Sequence, residues 1–454
     1  MLKKNQELIL HVDGMSAEGT GIGHHDGQAV FVSGTAIGDE IRCHIIKAKK
    51  NYAVGKLQEI LQASPDRIPA DCAVAGRCGG CCFRHVSYEA ELQYKQQRVE
   101  DAFRRIGHID CAVSPILGSA EQTRYRNKAQ YPVGNQDGLQ VGFYTFHSHR
   151  IVPCTDCLLQ PALFANLIQV ITDWVQTYSI SIYQEASHTG LLRHLYFREG
   201  HFSKELMVCL VVTDFAVPHL DELLQALQQF PTLKTVVLNR NAENTNVILG
   251  KDNKVLLGNG YIQDQLLGKR FRISPLSFYQ VNSAQCEVLY SKAAEYAQLT
   301  KEDTLLDLYC GTGTIGLTMA DRVNRIYGVE LIPEAVEDAK RNAADNGITN
   351  AVFFCGDAAK AALRLKQDKV HADVILVDPP RKGLSRDLIP ILAGFAPKRI
   401  VYVSCDPATL ARDCALLQEE GYIARAITPV DMFPRTAHVE TVVLLSKEKL
   451  QSPC

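Results

Sequence analysis

Residues 305–316 read LLDLYCGTGTIG, an apolar run that ends in a glycine-rich turn and leads into a helix. Glycine has no Cβ, so a glycine turn lets the backbone approach a ligand closely. A buried strand, a glycine turn and a helix in this order are typical of nucleotide-binding α/β domains. The turn alone does not identify the ligand, because dinucleotide-dependent dehydrogenases share it.

Helical and strand-like segments alternate in the sequence from about residue 285 onwards. This alternation predicts a doubly wound, Rossmann-like α/β sheet with helices on both faces. Six apolar runs are the predicted strands: TLLDLYCG, NRIYGVEL, AVFFCGDA, ADVILVDPP, RIVYVSCDP and HVETVVLLS. The carboxyl ends of such strands meet at one edge of the sheet, where ligands bind.

Acidic side chains follow three of these strands and form a candidate ligand site. Glu330 ends the second strand, 20 residues after Cys310, at a position where a carboxylate can bind a ribose diol. Asp357 follows the third strand, where its side chain is placed to meet an adenine amine, and Asp378 follows the fourth. The glycine turn and these residues together predict a cofactor that contains a nucleoside.

A thiol and a carboxylate are the candidate catalytic groups. Cys405 directly follows the fifth predicted strand and Glu440 opens the last one, so both are expected near the same edge. A thiolate can add to an electrophilic carbon, and a carboxylate can then remove a proton from the adduct. The alternatives are that Cys405 is a buried structural thiol and that Glu440 is a capping or surface carboxylate.

The 15 cysteines include a cluster with the spacing C-x5-C-x2-C, at Cys72, Cys78 and Cys81. Clustered cysteines in a reducing compartment are better explained as metal ligands than as disulfides. A closed site needs a fourth ligand, and the candidates are Cys82, Cys154 and Cys157. Cys82 adjoins Cys81, so these two thiolates would hardly reach the same cluster. Soft thiolates suit zinc or an iron–sulfur cluster, and the spacing does not separate the two.

Residues 1–60 alternate short apolar runs with glycine-rich turns, a pattern that predicts a small β-barrel. Four lysines surround Tyr52 there, and a mixture of basic and aromatic side chains suits contact with nucleic acid. The alternative is an ordinary solvated face. The lysines are Lys47, Lys49, Lys50 and Lys56.

Composition sets broad limits on the chain. Its 454 residues are 46% hydrophobic, enough for several cores, and the formal net charge of −2 means that any basic surface is local. No apolar run reaches the length of a membrane-spanning helix, and the first residues lack the apolar core of a signal peptide. We therefore expect a cytoplasmic protein with no membrane contact, a monomer without an obligate protein partner.

Two sets of motifs resemble known families. The ordered set DLYCGTGTIG, GVE, GDA and DPP resembles the class I S-adenosylmethionine-dependent methyltransferases. The motifs FYQVN, DPPRKGL, VSCDPATLARD and PVDMFPRTAHVE resemble the signatures of the RNA (uracil-5-)-methyltransferases, and this resemblance covers essentially the whole chain. It implies methyl transfer from S-adenosylmethionine to C5 of a uridine.

The resemblance also implies roles for individual residues. Cys405 matches the nucleophile that adds to uracil C6, and Glu440 matches the base that removes the C5 proton. Four residues match cofactor-binding positions, and two more lie at flanking positions that vary in the family; His438 is a candidate to orient Glu440, with capping or packing as the alternative. The four are Gln280, Tyr309, Glu330 and Asp378, and the two are Thr314 and Asp357.

Within that family, an N-terminal TRAM β-barrel and a structural [4Fe–4S] cluster mark the branch that modifies 23S ribosomal RNA. The family pattern around the fourth ligand matches Cys157-Leu158-Leu159-Gln160, which implies Cys72, Cys78, Cys81 and Cys157 as the cluster ligands. Two alternatives stay open. One is a transfer-RNA uracil-5-methyltransferase with the same chemistry, and the other is a non-catalytic iron–sulfur protein that binds RNA.

We expect three domains: a TRAM barrel (1–60), a central domain with the cluster and an RNA-recognition surface (61–268), and a methyltransferase domain (269–454). A helix at about 88–107 is expected to pack on the methyltransferase domain. Basic and aromatic side chains at two places are candidates to hold RNA phosphates and bases. They are Arg124, Tyr125, Arg126, Lys128 and Tyr131 in the central domain, and Arg381 and Lys382 after Asp378.

Overall fold

The computed structural model describes residues 2–136, 138–146 and 148–447. Its first five strands close into a barrel, in the order β1-β2-β3-β5-β4. Alternate residues along β1, among them Leu8, Leu10 and Val12, point into the barrel core. The closed barrel confirms the prediction from the sequence. The strands are β1 (Glu7–Met15), β2 (Gly21–His25), β3 (Gln28–Val32), β4 (Glu40–Ala48) and β5 (Tyr52–Gln62).

The helix that follows the cysteine-rich loop, α1 (Tyr88–Ala102), continues into one π-helical turn at Phe103–Gly107. Ser87 caps its first turn by accepting a hydrogen bond from the Ala90 amide at 3.3 Å. Val99, Ala102 and Phe103 are buried in the core of the C-terminal sheet. This helix therefore joins the middle of the chain to the sheet that carries the candidate site.

The middle of the chain forms a mixed seven-stranded sheet in the order β12-β11-β10-β9-β6-β7-β8. Two helices cover its apolar face, and a short hairpin follows it. The strands are β6 (Lys128–Gly134), β7 (Gln140–Tyr144), β8 (Ile151–Pro153), β9 (Leu192–Glu199), β10 (Leu206–Val212), β11 (Leu233–Arg240) and β12 (Asp252–Leu257), the helices α2 (Leu163–Thr177) and α3 (Leu220–Leu227), and the hairpin β13 (Ile262–Leu266) and β14 (Lys269–Ile273).

The C-terminal part has the doubly wound sheet that the sequence predicts, in the order β17-β16-β15-β18-β19-β21-β20. Strands β15 to β19 are parallel, and β21 runs antiparallel to β19 and β20. The elements are α4 (Ser283–Ala297), β15 (Thr304–Leu308), α5 (Thr314–Thr318), β16 (Arg325–Glu330), α6 (Pro333–Asp345), β17 (Ala351–Cys355), α7 (Ala358–Gln367), β18 (Val374–Val377), α8 (Leu388–Gly394), β19 (Arg399–Ser404), α9 (Pro407–Glu419), β20 (Tyr422–Val430) and β21 (Glu440–Lys447).

Strand β20 is the one strand of this sheet that the sequence pattern does not reveal. It lies at the sheet edge, and a bulge between Ala424 and Ala426 interrupts its register with β21. Residues 423–426 around the bulge are partly or fully exposed and residues 427–430 are all buried, so burial along β20 does not alternate as it does in a regular strand. No helix in the described part of the chain is long and apolar enough to cross a membrane.

A buried ion pair holds the loop between β20 and β21 against α1. The Lys95 ammonium, 1% exposed, donates to Asp431 at 2.7 Å and to Glu91 at 2.6 Å. Its third bond, of 3.2 Å, is to the Phe433 carbonyl, so all three of its donors are used. Tyr88 donates to the other oxygen of Asp431 at 2.7 Å.

The backbone of residues 432–437 is held largely by groups outside the loop. Five of its carbonyls accept hydrogen bonds from other segments, and Glu91 accepts from the Arg435 amide at 2.7 Å. The loop therefore takes its shape from its surroundings, and it leads directly into Glu440. The pairs are Asn282 to Met432, Lys95 to Phe433, Tyr125 to Pro434, the Cys82 and Phe83 amides to Arg435, and Arg98 to Ala437.

Replacing Lys95 with Met tests the importance of this buried pair. The change leaves Glu91 and Asp431 buried without their cation, so we expect a loss of about 3–5 kcal/mol in the free energy of unfolding. The control is Lys340→Met, which removes a half-exposed pair with Glu337 and should cost less than about 1 kcal/mol. Urea denaturation of both variants gives the comparison. Equal losses would show that the buried pair does not hold the loop.

Candidate active site

The structure brings the predicted site residues to one edge of the C-terminal sheet. Asp378 directly follows β18, Cys405 directly follows β19, and Tyr309 directly follows β15. Glu330 is the last residue of β16, and Glu440 is the first of the antiparallel strand β21. Five strands therefore each contribute one polar side chain to a single edge.

The glycine turn after β15 is bound to the end of β16. Gly311 and Gly313 have positive φ angles of 56° and 80°, which glycine adopts without strain. The Gly311 amide donates to one Glu330 oxygen at 3.1 Å, and the Ile332 amide donates to the other at 2.9 Å. The Glu330 carboxylate is thus fixed beside the turn, at the position expected for binding a ribose.

Tyr309 and Asp357 lie near each other across this end of the sheet. Tyr309 has a φ of 64°, a strained conformation for a residue with a side chain, and such strain is common at functional sites. Burial, and then the Asp357 charge, raise the pKa of Tyr309 to about 12. Asp357 also caps α7, accepting from the Lys360 amide at 3.2 Å, so it has a structural role besides any contact with a ligand.

Two further predicted cofactor residues are Thr314, directly after the glycine turn, and Gln280, in the segment before α4. Thr314 begins α5, and its hydroxyl lies 3.1 Å from that of Tyr290. Gln280 is half-buried, and its backbone carbonyl accepts a hydrogen bond from the Asn127 side chain at 2.9 Å. Arg198, which is buried, donates to the carbonyls of Ser277 and Tyr279 and so holds the backbone on either side of Phe278.

Sequence reasoning missed Asp307, a buried carboxyl in β15, two residues before Tyr309. It accepts from the Gly316 amide at 3.1 Å, and its second oxygen has no hydrogen-bond partner among the described residues. Burial raises its pKa to about 8. The available signal was a lone aspartate inside an otherwise apolar strand.

The register of β19 and β21 places Cys405 next to Glu440. Ser404 pairs with Thr441 across the two antiparallel strands. Cys405 and Glu440 directly adjoin this last pair, and the Glu440 charge acts on the Cys405 thiol. Cys405 is half-buried and Glu440 is 5% exposed, so the thiol is accessible while the carboxyl is shielded from water.

The electrostatics of this edge favour neutral acids in the free protein. Burial, and then the Asp378 charge, raise the pKa of Glu440 to about 8, although Arg381 acts in the opposite direction. Burial alone raises the pKa of Asp378 to about 7. Burial, followed by Glu440 and Asp378, raises the pKa of Cys405 to about 11. Three acidic groups in one shielded site are typical of catalytic centres.

His438 makes its hydrogen bonds away from Glu440. Its amide donates to the Thr436 hydroxyl at 3.3 Å, and its Nδ1 lies 3.5 Å from Arg381 Nη2. The ring packs edge-on against Phe433, with the centroids 6.0 Å apart. These contacts indicate that His438 shapes the rim of the site.

The prediction that Tyr125 and Tyr131 stack on RNA bases is wrong. Both rings are buried, Tyr125 with its hydroxyl on the Pro434 carbonyl and Tyr131 in the core of the central sheet. Buried and partly exposed residues alternate along this segment, and the two tyrosines occupy buried positions. Arg124 forms an ion pair with Asp156, whereas the barrel lysines are exposed: Lys47, Lys49, Lys50 and Lys56.

Five cysteines from two segments line one cavity: Cys72, Cys78, Cys81, Cys154 and Cys157. A hydrogen bond from Cys154, with the amides of Leu159 and Gln160, lowers the pKa of Cys157. Cys82 instead packs in a small apolar cluster with Phe83 and Tyr94. The cavity therefore contains the three cysteines of the C-x5-C-x2-C motif and both candidates from the second segment.

The five thiols of this cavity are soft donors, the type that suits zinc or an iron–sulfur cluster. Within the described ranges, no three His, Cys, Asp or Glu side chains converge to bind one metal ion. Arg84 and Arg126 also line the cavity, and each has a buried Nε without a hydrogen-bond partner among the described residues. Cationic side chains suit an anionic cluster.

Comparisons with known proteins agree with this geometry. Residues 87–448 match the family described as tRNA (Uracil-5-)-methyltransferase, and residues 2–57 match the TRAM domain. An uncharacterized RNA methyltransferase of Clostridium tetani is 42% identical over 447 residues, which are 98% of this chain and 97% of the relative. Another, from Halalkalibacterium halodurans, is 42% identical and covers 98% of both chains.

A solved structure resembles nearly the whole chain. It is the tRNA (uracil-54, C5)-methyltransferase of Pyrococcus abyssi in complex with S-adenosyl-L-homocysteine, with a TM-score of 0.78 and 27% sequence identity. The match covers 96% of this chain and 100% of that one. The family match and these relatives confirm the resemblance that the motifs indicate.

The raised pKa of Glu440 predicts how stability varies with pH. Between its ordinary pKa and about 8, the folded protein keeps this proton while the unfolded chain has lost it. Stability therefore falls as pH rises through this window, by about 1.4 kcal/mol per pH unit for one group. Glu440→Gln removes this contribution. The free energy of unfolding of the variant, relative to that of the wild type, should therefore rise by about 1.4 kcal/mol per pH unit between pH 5.5 and 7.5.

Urea denaturation at several pH values measures this difference. Glu337→Gln, at an exposed position on α6, is the control and should follow the wild-type curve. Parallel curves for Glu440→Gln and the wild type would mean that Glu440 is ionised in the folded protein at neutral pH.

Proposed function

This chain belongs to the RNA (uracil-5-)-methyltransferase family, which uses S-adenosylmethionine, and we propose that it methylates C5 of a specific uridine in 23S ribosomal RNA. The single observation that carries the mechanism is the register of β19 and β21, whose last pair, Ser404 with Thr441, directly adjoins both Cys405 and Glu440. Both side chains can then reach the same face of one extruded base.

In the proposed reaction, the Cys405 thiolate adds to C6 of the uracil and forms a carbon–sulfur bond. The electron pair of the C5–C6 double bond moves into an enolate, which makes C5 nucleophilic. C5 takes the methyl group from the sulfonium of S-adenosylmethionine, and S-adenosylhomocysteine leaves. The product of this step is a covalent RNA–protein adduct that still has a proton on C5.

Glu440 completes the reaction by removing that proton. The electron pair of the C5–H bond reforms the double bond, and the Cys405 sulfur leaves C6 as a thiolate. The carboxyl of Glu440 has a raised pKa, which makes its ionised form a stronger base than an exposed glutamate. The shielded position that raises the pKa also keeps water from competing for the base.

The cofactor is proposed to lie along the same edge, against Gln280, Tyr309, Glu330 and Asp378, with Thr314 and Asp357 at its margin. The strongest support is the pair of amides that fix the Glu330 carboxylate beside the glycine turn. A carboxylate held in this way can accept from both hydroxyls of a ribose without reorganising.

Glu330→Ala should therefore weaken binding of S-adenosylmethionine by roughly 1.5–3 kcal/mol, the value of a charge-assisted hydrogen bond. Calorimetric titration measures it, with Glu337→Ala as the exposed control. An affinity equal to the wild type would remove Glu330 from the cofactor site.

A structural [4Fe–4S] cluster held by Cys72, Cys78, Cys81 and Cys157 is proposed for the cysteine cavity. The cluster would join the cysteine-rich loop to the segment after β8 and fix the position of Cys82. The Cys82 amide donates to the Arg435 carbonyl at 3.0 Å, so the cysteine-rich loop supports the segment that leads to Glu440. No residue of the cavity takes part in the proposed methyl transfer.

The ligand assignment predicts different outcomes for two neighbouring cysteines. Anaerobically purified protein should contain about four irons, as expected for one cubane held by four thiolates. Cys157→Ala should lose the iron, and Cys154→Ala should retain it. Iron analysis and the visible absorption spectrum give the result. Stoichiometric zinc without iron would contradict the cluster. If only Cys154→Ala lost the iron, the fourth ligand would be Cys154 and not Cys157.

Transfer RNA is the second candidate substrate, and one observation favours it. The structurally similar protein of Pyrococcus abyssi is a transfer-RNA enzyme, and its match covers 96% of this chain and therefore most of the barrel. The presence of the barrel therefore does not discriminate between ribosomal RNA and transfer RNA as the substrate. In either case we place the enzyme in the cytoplasm, where both RNAs are made in bacteria, and as a monomer.

Mass-spectrometric mapping of 5-methyluridine in ribosomal and transfer RNA from a deletion strain decides between the substrates. We expect one or more sites in 23S ribosomal RNA to lose the modification and a plasmid-borne wild-type gene to restore it. Cys405→Ala should fail to restore it, whereas Cys111→Ala, which changes another half-buried thiol, should succeed. Loss confined to transfer RNA would contradict the ribosomal assignment.

A further inference from the structure

Two arginines from different elements converge on the segment just before Glu440. Arg98, on α1, donates from Nη1 to the Ala437 carbonyl at 2.7 Å. Arg381, in the loop after β18, has its Nη2 at 3.5 Å from His438 Nδ1. Since residues 437 and 438 are adjacent, the two guanidinium groups lie on one short stretch of backbone beside the reacting groups.

Neither guanidinium has a carboxylate partner within the part of the chain that the structure describes. Asp406 acts on Arg98 from beyond ion-pair distance, and its Oδ1 already accepts from the Ala408 and Thr409 amides as the cap of α9. Arg98 is half-buried, and burial lowers its pKa. Several other buried or partly buried arginines of the described residues do have such a partner, such as Arg67 with Asp39 and Arg435 with Glu91.

The His438 imidazole, which lies next to both arginines, does not offset their positive charge. Burial, followed by the charges of Arg381, Arg98 and Arg126, lowers the pKa of His438 to about 4, so the ring is neutral at physiological pH. Like charges thus converge on one place, which is unfavourable in the free protein. An anionic ligand would remove that repulsion.

We infer that Arg98 and Arg381 form a binding site for one backbone phosphate of the RNA, the phosphate next to the target uridine. A guanidinium binds a phosphate through two parallel hydrogen bonds, and both groups keep unused donors. Arg381 also acts electrostatically on Cys405 and Glu440, so the bound phosphate is close to the base that Cys405 attacks. The inference rests on the proposed function in taking an extruded uridine as the substrate.

This site answers a requirement of the reaction. A base that leaves its helix must be held by its backbone, because it has lost its stacking and pairing partners. The net charge of −2 cannot attract RNA by itself, so local cations have to do so. One arginine comes from α1 and the other from the loop after β18, so the phosphate would link these two elements.

The test combines two arginine variants with a chemically altered RNA. The probe is a stem–loop containing the mapped uridine, with a neutral methylphosphonate in place of the phosphate on its 5′ or its 3′ side. We expect one of these substitutions to weaken binding to the wild type roughly tenfold or more, the loss expected for a charge-assisted hydrogen bond. Arg98→Gln and Arg381→Gln should weaken binding of the unmodified RNA similarly and be nearly insensitive to the same substitution.

Salt dependence gives a second measure. Each variant should reduce the slope of log affinity against log salt by about one, the effect of losing one phosphate contact. Arg364→Gln, an exposed arginine on α7, is the control and should leave the slope unchanged. Arg98→Lys should restore part of the affinity. Binding of S-adenosylmethionine should be unchanged in all variants, which shows that they are folded.

Other results would overturn the inference in distinguishable ways. If the arginines only stabilise the Cys405 thiolate, their loss will lower kcat and move its pH profile upwards while RNA affinity and salt slope stay the same. If both methylphosphonates bind the wild type as well as the normal RNA, no flanking phosphate is bound here. A failure of the proposed function shows separately, since the wild type would then leave the mapped uridine unmethylated.

Discussion

The contact of the Lys95 ammonium with the carboxylates of Glu91 and Asp431 is the constraint on which the candidate site depends. The loop between β20 and β21 has few internal hydrogen bonds, and its carbonyls instead accept from α1, from the cysteine-rich loop and from the segments around Tyr125 and Asn282. Lys95 lies at the centre of these contacts. A loop held from outside keeps Glu440 in one position only while its surroundings stay in place, so the position of Glu440 depends on segments outside the C-terminal sheet.

The edge of the C-terminal sheet explains why so many acidic groups are found together. Parallel strands end side by side, and the chain places a polar residue after almost every one. Shielding from water raises the pKa of all three groups, Glu440, Asp378 and Cys405. Arg381, at the rim of the site, acts against this effect at Cys405 and Glu440.

Much of this could be predicted from the sequence, and the failures have physical reasons. Strand ends and glycine turns are local features, so the doubly wound sheet, the barrel and the positions of Cys405, Glu330 and Glu440 followed from short motifs. Strand β20 was missed because a bulge breaks its alternation. Tyr125 and Tyr131 were misassigned because alternation alone does not say which face is buried, and tertiary packing decides it. The contacts of Lys95 and Arg98 join residues more than 300 positions apart in the chain, which no local pattern can reveal.

The most direct test of the central claim, that Cys405 and Glu440 act in sequence on one uracil, is to look for the adduct that links their two steps. Glu440→Gln is incubated with RNA and with S-adenosylmethionine labelled in the methyl group, and the mixture is separated by denaturing electrophoresis. The account predicts a protein band that carries both RNA and label, and its absence when Cys405→Ala is added to the same chain. Normal turnover by Glu440→Gln, or an undiminished adduct in the double variant, would contradict it.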